Sequence, residues 1–398
     1  MRLQLLATAA SAIALAAAAG AASAQEIKIG VLLGFTGPIE SLTPGMAAGA
    51  ELALTEVNEA GGVLDGRMLE PVRADSTCID AAAATSAAER LVASDDVVAI
   101  MGADCSGVTI ATLNNVAVPN GVMMISPSAT SPALTTIEDE GLFFRTAPSD
   151  ARQGEVIANI LMDRGIEEIA VTYTNNDYGK GLADSFQAAY ESMGGMVPIS
   201  AAHEDGKGDY SAEVGALSAA GTDWLAVFGY ADQGGVGIIR SAVDAGAFDG
   251  FVLGDGMFAE SLIEAIGPDL NGTIGSIPGA EGDGVEAFYE LAESKDVDPD
   301  GSFRSESYDA AALIALSIQA AGSAEPAAMA AEVMNVANAP GEKILPGELG
   351  KAIEILAEGG EIDFVGATNV ELVGPGEAAG TYREYEVQDG EFVTVRFR

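Results

Sequence analysis

Val97-Val98-Ala99-Ile100-Met101 runs into Gly102-Ala103-Asp104-Cys105-Ser106-Gly107, and Val122-Met123-Met124-Ile125 runs into Ser126-Pro127-Ser128-Ala129-Thr130-Ser131-Pro132. Each apolar run is short and uninterrupted, as a strand buried on both faces of a parallel sheet reads. Each ends in a loop of small and hydroxyl-bearing residues. In an open α/β sheet, ligands collect outside the carboxyl ends of the strands. Two such loops side by side would offer hydroxyls and backbone N–H groups to a small anion such as a carboxylate. Clusters of Ser, Thr and Pro also make ordinary turns. The pairing of the two loops, rather than either one, points to a site.

The surrounding chain keeps the same alternation. Ile27 to Leu33 reads as a first strand, closed by the loop Gly34-Phe35-Thr36-Gly37-Pro38. That loop lacks the dinucleotide-binding spacing. Met46, Ala50, Ala53 and Val57 then recur at helical spacing until Gly61-Gly62 stops the helix. Leu69–Ala74 predicts a strand and Ala81–Ala93 a helix, with another helix from about Val108. Strand–helix alternation implies a parallel sheet with helices on both faces. A second set starts near Asp150, with strands at Ile169–Tyr173, Trp224–Tyr230 and Phe251–Gly254. Its strand ends deliver Tyr178, Tyr230 and Asp255. Ile274–Pro278 reads as a crossover strand, and helices are expected at about 284–293, 306–321, 326–337 and 347–358. Tyr382–Arg398 predicts two strands about the turn Gln388-Asp389-Gly390.

Composition narrows the function. At 398 residues the chain is too long for one compact core. Arg2, the uncharged run Leu5–Ala19 and Ala22-Ser23-Ala24 make a secretory signal removed before Gln25. The mature product is expected to be an exported, soluble protein. Sixty acidic against 18 basic residues leave a net charge of −42. That argues against nucleic acid and anionic membrane surfaces as partners. An anion site on such a chain needs local donors. The two cysteines, Cys78 and Cys105, favour a disulfide in an exported chain. A metal centre is the poorer alternative, because His203 is the one histidine. With no Gly-x-Ser-x-Gly elbow and no phosphate loop, the chain reads as a non-enzyme without a cofactor.

These residues carry a family likeness. Ile27-Lys28-Ile29-Gly30-Val31 with Thr36-Gly37-Pro38, Gly61-Gly62, Cys105-Ser106, Ile125–Pro132 with Leu134-Thr135, and Phe144-Arg145 with Pro148-Ser149-Asp150 and Gln153-Gly154 all match. So do Asp177-Tyr178-Gly179 with Gly181-Leu182, and Tyr308-Asp309-Ala310. The chain resembles the leucine/isoleucine/valine-binding proteins, periplasmic solute receptors of ABC importers. The resemblance implies a type I periplasmic-binding-protein fold: two Rossmann-like lobes, three crossing segments and a cleft between. It divides the chain into a signal peptide 1–24, a first lobe of 25–147 and 276–374, and a second lobe of 148–275 and 375–398.

By position, Ser106 and Thr130 resemble the hydroxyls that bind a ligand carboxylate, and Ser128 the residue whose carbonyl accepts from the ammonium. Asp255 stands where the second lobe's acid meets that ammonium, one methylene shorter than Glu. Tyr178 and Tyr230 resemble the aromatics that close over the ligand, and Phe303 a side-chain pocket aromatic. Leu42 stands where amino-acid binders often present an aromatic wall. Arg145 is expected as a structural contact between the lobes. The expected ligand is a small amino acid or related carboxylate, and the expected partners are an ABC permease and its ATPases, with the receptor a monomer. A sensor on the same fold, signalling through a partner protein, is the alternative.

Overall fold

The computed structural model describes residues 26–398. The signal segment and the cleavage point before Gln25 lie outside the described residues. The first half supplies β1 (Ile27–Leu33), β2 (Leu69–Asp75), β3 (Ala99–Gly102), β4 (Met123–Ser126) and β5 (Phe143–Arg145). The next segment supplies β6 (Ala170–Thr174), β7 (Ser200–His203), β8 (Trp224–Phe228), β9 (Gly250–Leu253) and β10 (Ile274–Pro278). A small parallel pair follows, β11 (Glu342–Ile344) with β12 (Ile362–Phe364). Last come β13 (Leu372–Val373), β14 (Glu377–Ala378), β15 (Tyr382–Gln388) and β16 (Glu391–Phe397).

Two seven-stranded sheets result. One runs β13-β14-β5-β4-β3-β1-β2, the other β16-β15-β10-β9-β8-β6-β7. Both place the order reversal beside their first strand, between β1 and β3 and between β6 and β8. At such a switch point the neighbouring loops diverge and leave a crevice. β3 and β4 are buried along their whole length, which explains their unbroken apolar sequence. Beneath the first sheet, the helix Arg304–Ala321 is buried from Glu306 to Ile318 and packs on the helix Thr43–Glu59. The late helices thus complete the first lobe and form no third domain.

Local chemistry sets the helix starts. Asp80, Ser149 and Asn176 each cap a following helix by accepting backbone N–H groups. Asp389 and Gly390, both at positive φ, turn β15 into β16.

The structure moves two boundaries. β10 pairs with β9 and β15, so the chain leaves the second lobe after Pro278 and not at 275. β14 pairs with β5, so the return crossing runs through 379–381 and not from 375. Each strand has one partner nearby in the chain, β9 for β10 and β13 for β14, and one far along it, β15 and β5. β7 and the helix Ser211–Ser218 also fill a stretch whose residue pattern predicted no clear element.

Candidate functional site

The two serine-bearing loops are zipped together. Ser126 Oγ donates to the Ala103 carbonyl, and Ser128 Oγ donates to the Asp104 carbonyl at 2.9 Å. Ser106 Oγ accepts the Ser131 N–H at 3.1 Å, which leaves its own O–H free to donate. Cys105 precedes Ser106 and is bonded to Cys78 across 27 residues of sequence. Asp104 lies underneath, accepting the Gly34 N–H and the Ser76 hydroxyl. It therefore ties the loop after β1 to the loop after β3. Burial pushes its carboxyl above the usual range.

The second lobe presents an aromatic and acidic wall. Tyr178 and Tyr230 stack with ring centroids 5.2 Å apart. The Tyr178 hydroxyl donates to Asp255 Oδ1 at 2.5 Å, and the Gly256 N–H donates to the same oxygen at 2.9 Å. A Cβ on Gly256 would stand 2.6 Å from the Gly229 carbonyl oxygen, so only glycine allows this turn. Burial pushes Asp255 up to about 6, although the Tyr178 and Gly256 hydrogen bonds pull the other way.

The walls meet around a cavity of about 30 Å³. Ser106, Ser128, Asp104 and Cys105 line it from the first lobe's loops, and Tyr178, Tyr230, Asp255 and Gly256 line it from the second. Ile39, Leu42, Met46 and Phe303 form its apolar end. Of the residues named from sequence, Thr130 is the exception. It is fully buried but is not part of the cavity wall. Its carbonyl accepts the Asp150 N–H at 2.8 Å, and its hydroxyl, which makes no hydrogen bond, lies near the Asp150 carboxyl. The loop has turned this residue towards the start of the helix Asp150–Asp163.

Arg145 also departs from expectation. Its guanidinium donates to the carbonyls of Ala129 and Ser131, to Thr135 and to Glu377. All of these belong to the first lobe. Arg145 is a buried brace behind the second loop, not a bridge between lobes. Sequence reasoning missed Ile39, Met46, Asp104 and Gly256 as wall residues. Asp104 and Gly256 adjoin residues it did name. Ile39 and Met46 are apolar and carry no signal separating a ligand wall from a core.

A second cavity, of about 190 Å³, lies among the crossing segments. Thr146, Pro148, Pro278, Gly279, Ala379 and Thr381 line it, together with Glu306. Glu306 is buried, and burial pushes its carboxyl up to about 7. Among the described residues, no group of three or more His, Cys, Asp or Glu is placed to hold a metal ion.

Comparison with known proteins gives this geometry a setting. A family model described as periplasmic binding protein matches residues 26–350. The leucine-, isoleucine-, valine-, threonine-, and alanine-binding protein of Pseudomonas aeruginosa is 31% identical over 76% of this chain and 81% of its own length. A leucine-binding protein from Thermotoga maritima superposes with a TM-score of 0.79 at 24% identity, covering 93% of this chain and 98% of that one. A solute-binding protein of an ABC transporter from R. palustris, solved with benzoate, gives 0.75 at 18% identity, covering 94% and 96%.

Proposed function

The chain belongs to the periplasmic binding protein family, alongside the leucine/isoleucine/valine-binding proteins, and from that we propose that it is an exported receptor for a small aliphatic amino acid, serving an ABC importer in the periplasm. One observation carries this reading: a single cavity takes hydroxyls from one lobe, a carboxylate from the other, and an apolar end from Ile39, Leu42, Met46 and Phe303. Ser106 and neighbouring amides would hold a ligand carboxylate. Asp255 would face the ammonium, its Oδ1 already oriented by Tyr178 and Gly256. Tyr178 and Tyr230 would cover the ligand from the second lobe. Ile39, Leu42, Met46 and Phe303 would receive an apolar side chain at the end of the cavity away from the polar groups.

The receptor role follows from where these groups sit. A ligand that touches both walls binds the shut form better than the open one, so it shifts the population to the shut form. An ABC permease would read that form.

Thermal melting with a panel of L-amino acids, benzoate and short-chain carboxylates tests it. Mass action raises the melting temperature for any ligand that binds only folded protein. Small aliphatic amino acids should give the largest shifts. Shifts from benzoate alone, or from none of the amino acids, would remove the amino-acid reading.

A further inference from the structure

The lobes also touch above the cavity, through residues that do not line it. The loop after β1 in the first lobe meets Asp232 and Ser261 of the second. The Asp232 N–H donates to the Pro38 carbonyl at 3.0 Å. The Ser41 N–H donates to Asp232 Oδ2 at 2.8 Å. Ser261 Oγ donates to Asp232 Oδ1 at 2.6 Å, and the Ser41 and Ser261 hydroxyls lie 3.2 Å apart. One carboxylate therefore has an oxygen engaged by each lobe, and its own N–H makes a further bond across the gap.

The placement ties this cluster to the cavity. Ile39 and Leu42 directly follow the loop's contact residues Pro38 and Ser41, and Tyr230 stands two residues before Asp232; all three line the cavity. Pro38, Ser41, Asp232 and Ser261 do not. The chain carries a net charge of −42, so bringing two acidic lobes together is opposed by repulsion. At this contact the acid meets an amide and a hydroxyl, not another carboxylate.

We propose that Asp232 is a closure latch, a positioning residue that sets ligand affinity without touching ligand. Its bonds to the first lobe exist only when the cleft is shut. They raise the shut fraction, and apparent affinity scales with that fraction. The inference rests on the reading of the cleft as a ligand site, but its central test does not need a ligand.

Ser41→Cys with Ser261→Cys places two thiols where two hydroxyls already meet. Under mild oxidation, the rate of cross-linking in ligand-free protein reports how often the lobes meet at the latch. Adding Asp232→Ala should slow that rate by about tenfold, the lower end of what a hydrogen bond to a charged group contributes. In the Ser41/Ser261 background, Asp232→Ala should also speed dissociation of a bound aliphatic amino acid by a similar factor, with association within about twofold. Circular dichroism checks that the partly exposed position leaves the fold intact. An unchanged cross-linking rate overturns the latch whatever the ligand. A slowed rate in a protein that binds no amino acid sustains the latch and removes the proposed ligand.

Discussion

Asp255 is the residue at which the proposed chemistry is most exposed. Its carboxyl is held at about 6 by burial, so near neutral pH it is mostly ionised and ready for a cation. An ammonium ligand binds the ionised form. Below about pH 6 the proton must first leave, and affinity should fall by about tenfold per pH unit. A carboxylate lacking an ammonium should show the reverse, binding better as the neighbouring charge is lost. Calorimetric titrations between pH 5 and 7.5 separate the two, and Asp255→Asn should flatten the dependence. Asp255 was legible in sequence because it ends a hydrophobic strand. Asp232 was not, because its partner Ser41 lies 191 residues away and only folding brings them together. Thr130 shows the converse limit. Its position in the loop was evident, but the direction in which the loop turned it was not.

At the scale of elements, the loop Gly102–Gly107 depends on its staple. The Cys78–Cys105 bond spans 27 residues, worth about 3–4 kcal/mol on the chain-entropy model. Cys78→Ser with Cys105→Ser should lower stability in urea by that order. It should also weaken ligand binding, because Ser106 adjoins the bridge. Lost stability with wild-type affinity would show that the bridge does not position Ser106. The C-terminal hairpin has its own anchor in Glu384, which is 2% exposed and paired with Arg164, Arg396 and Arg398. Burial favours the protonated form of Glu384, but hydrogen bonds from these arginines outweigh it and hold the carboxyl below its usual range. Glu384→Gln should therefore cost about 3 kcal/mol at neutral pH, with the difference shrinking as acid protonates the wild-type residue. Central strands such as β4 were readable as apolar runs. β7 was not, because it is an edge strand with Ser200 and Ala202 exposed and shows no buried run.

Across the whole molecule, the crossing segments couple stability to pH. Glu306 lies in the cavity they enclose, with Arg383, Asp255 and Asp309 as its charged neighbours. Its folded pKa of about 7 is raised from the ordinary 4.5. The stability linked to it is fully present below about pH 4.5 and is lost as pH rises through about 7. The shift corresponds to about 3 kcal/mol. Urea denaturation of Glu306→Gln should show the variant gaining on wild type between pH 4.5 and 7.5. A constant difference across that range would place the titration elsewhere. The two-lobed architecture was legible because strand–helix alternation repeats twice. The points where the chain crosses between lobes were not, because β10 and β14 are each completed by one partner far along the chain, β15 and β5.

The measurement that bears most directly on a ligand held between both lobes is the calorimetric affinity of two single-lobe variants for the amino acid that most stabilises wild type. Ser106→Ala alters only the first wall and Asp255→Asn only the second. Each removes a hydrogen bond to a charged ligand group, so each should weaken binding by about tenfold to a hundredfold with the fold intact. Wild-type affinity in either variant would mean that the ligand does not bridge the cleft there, and would contradict capture by closure.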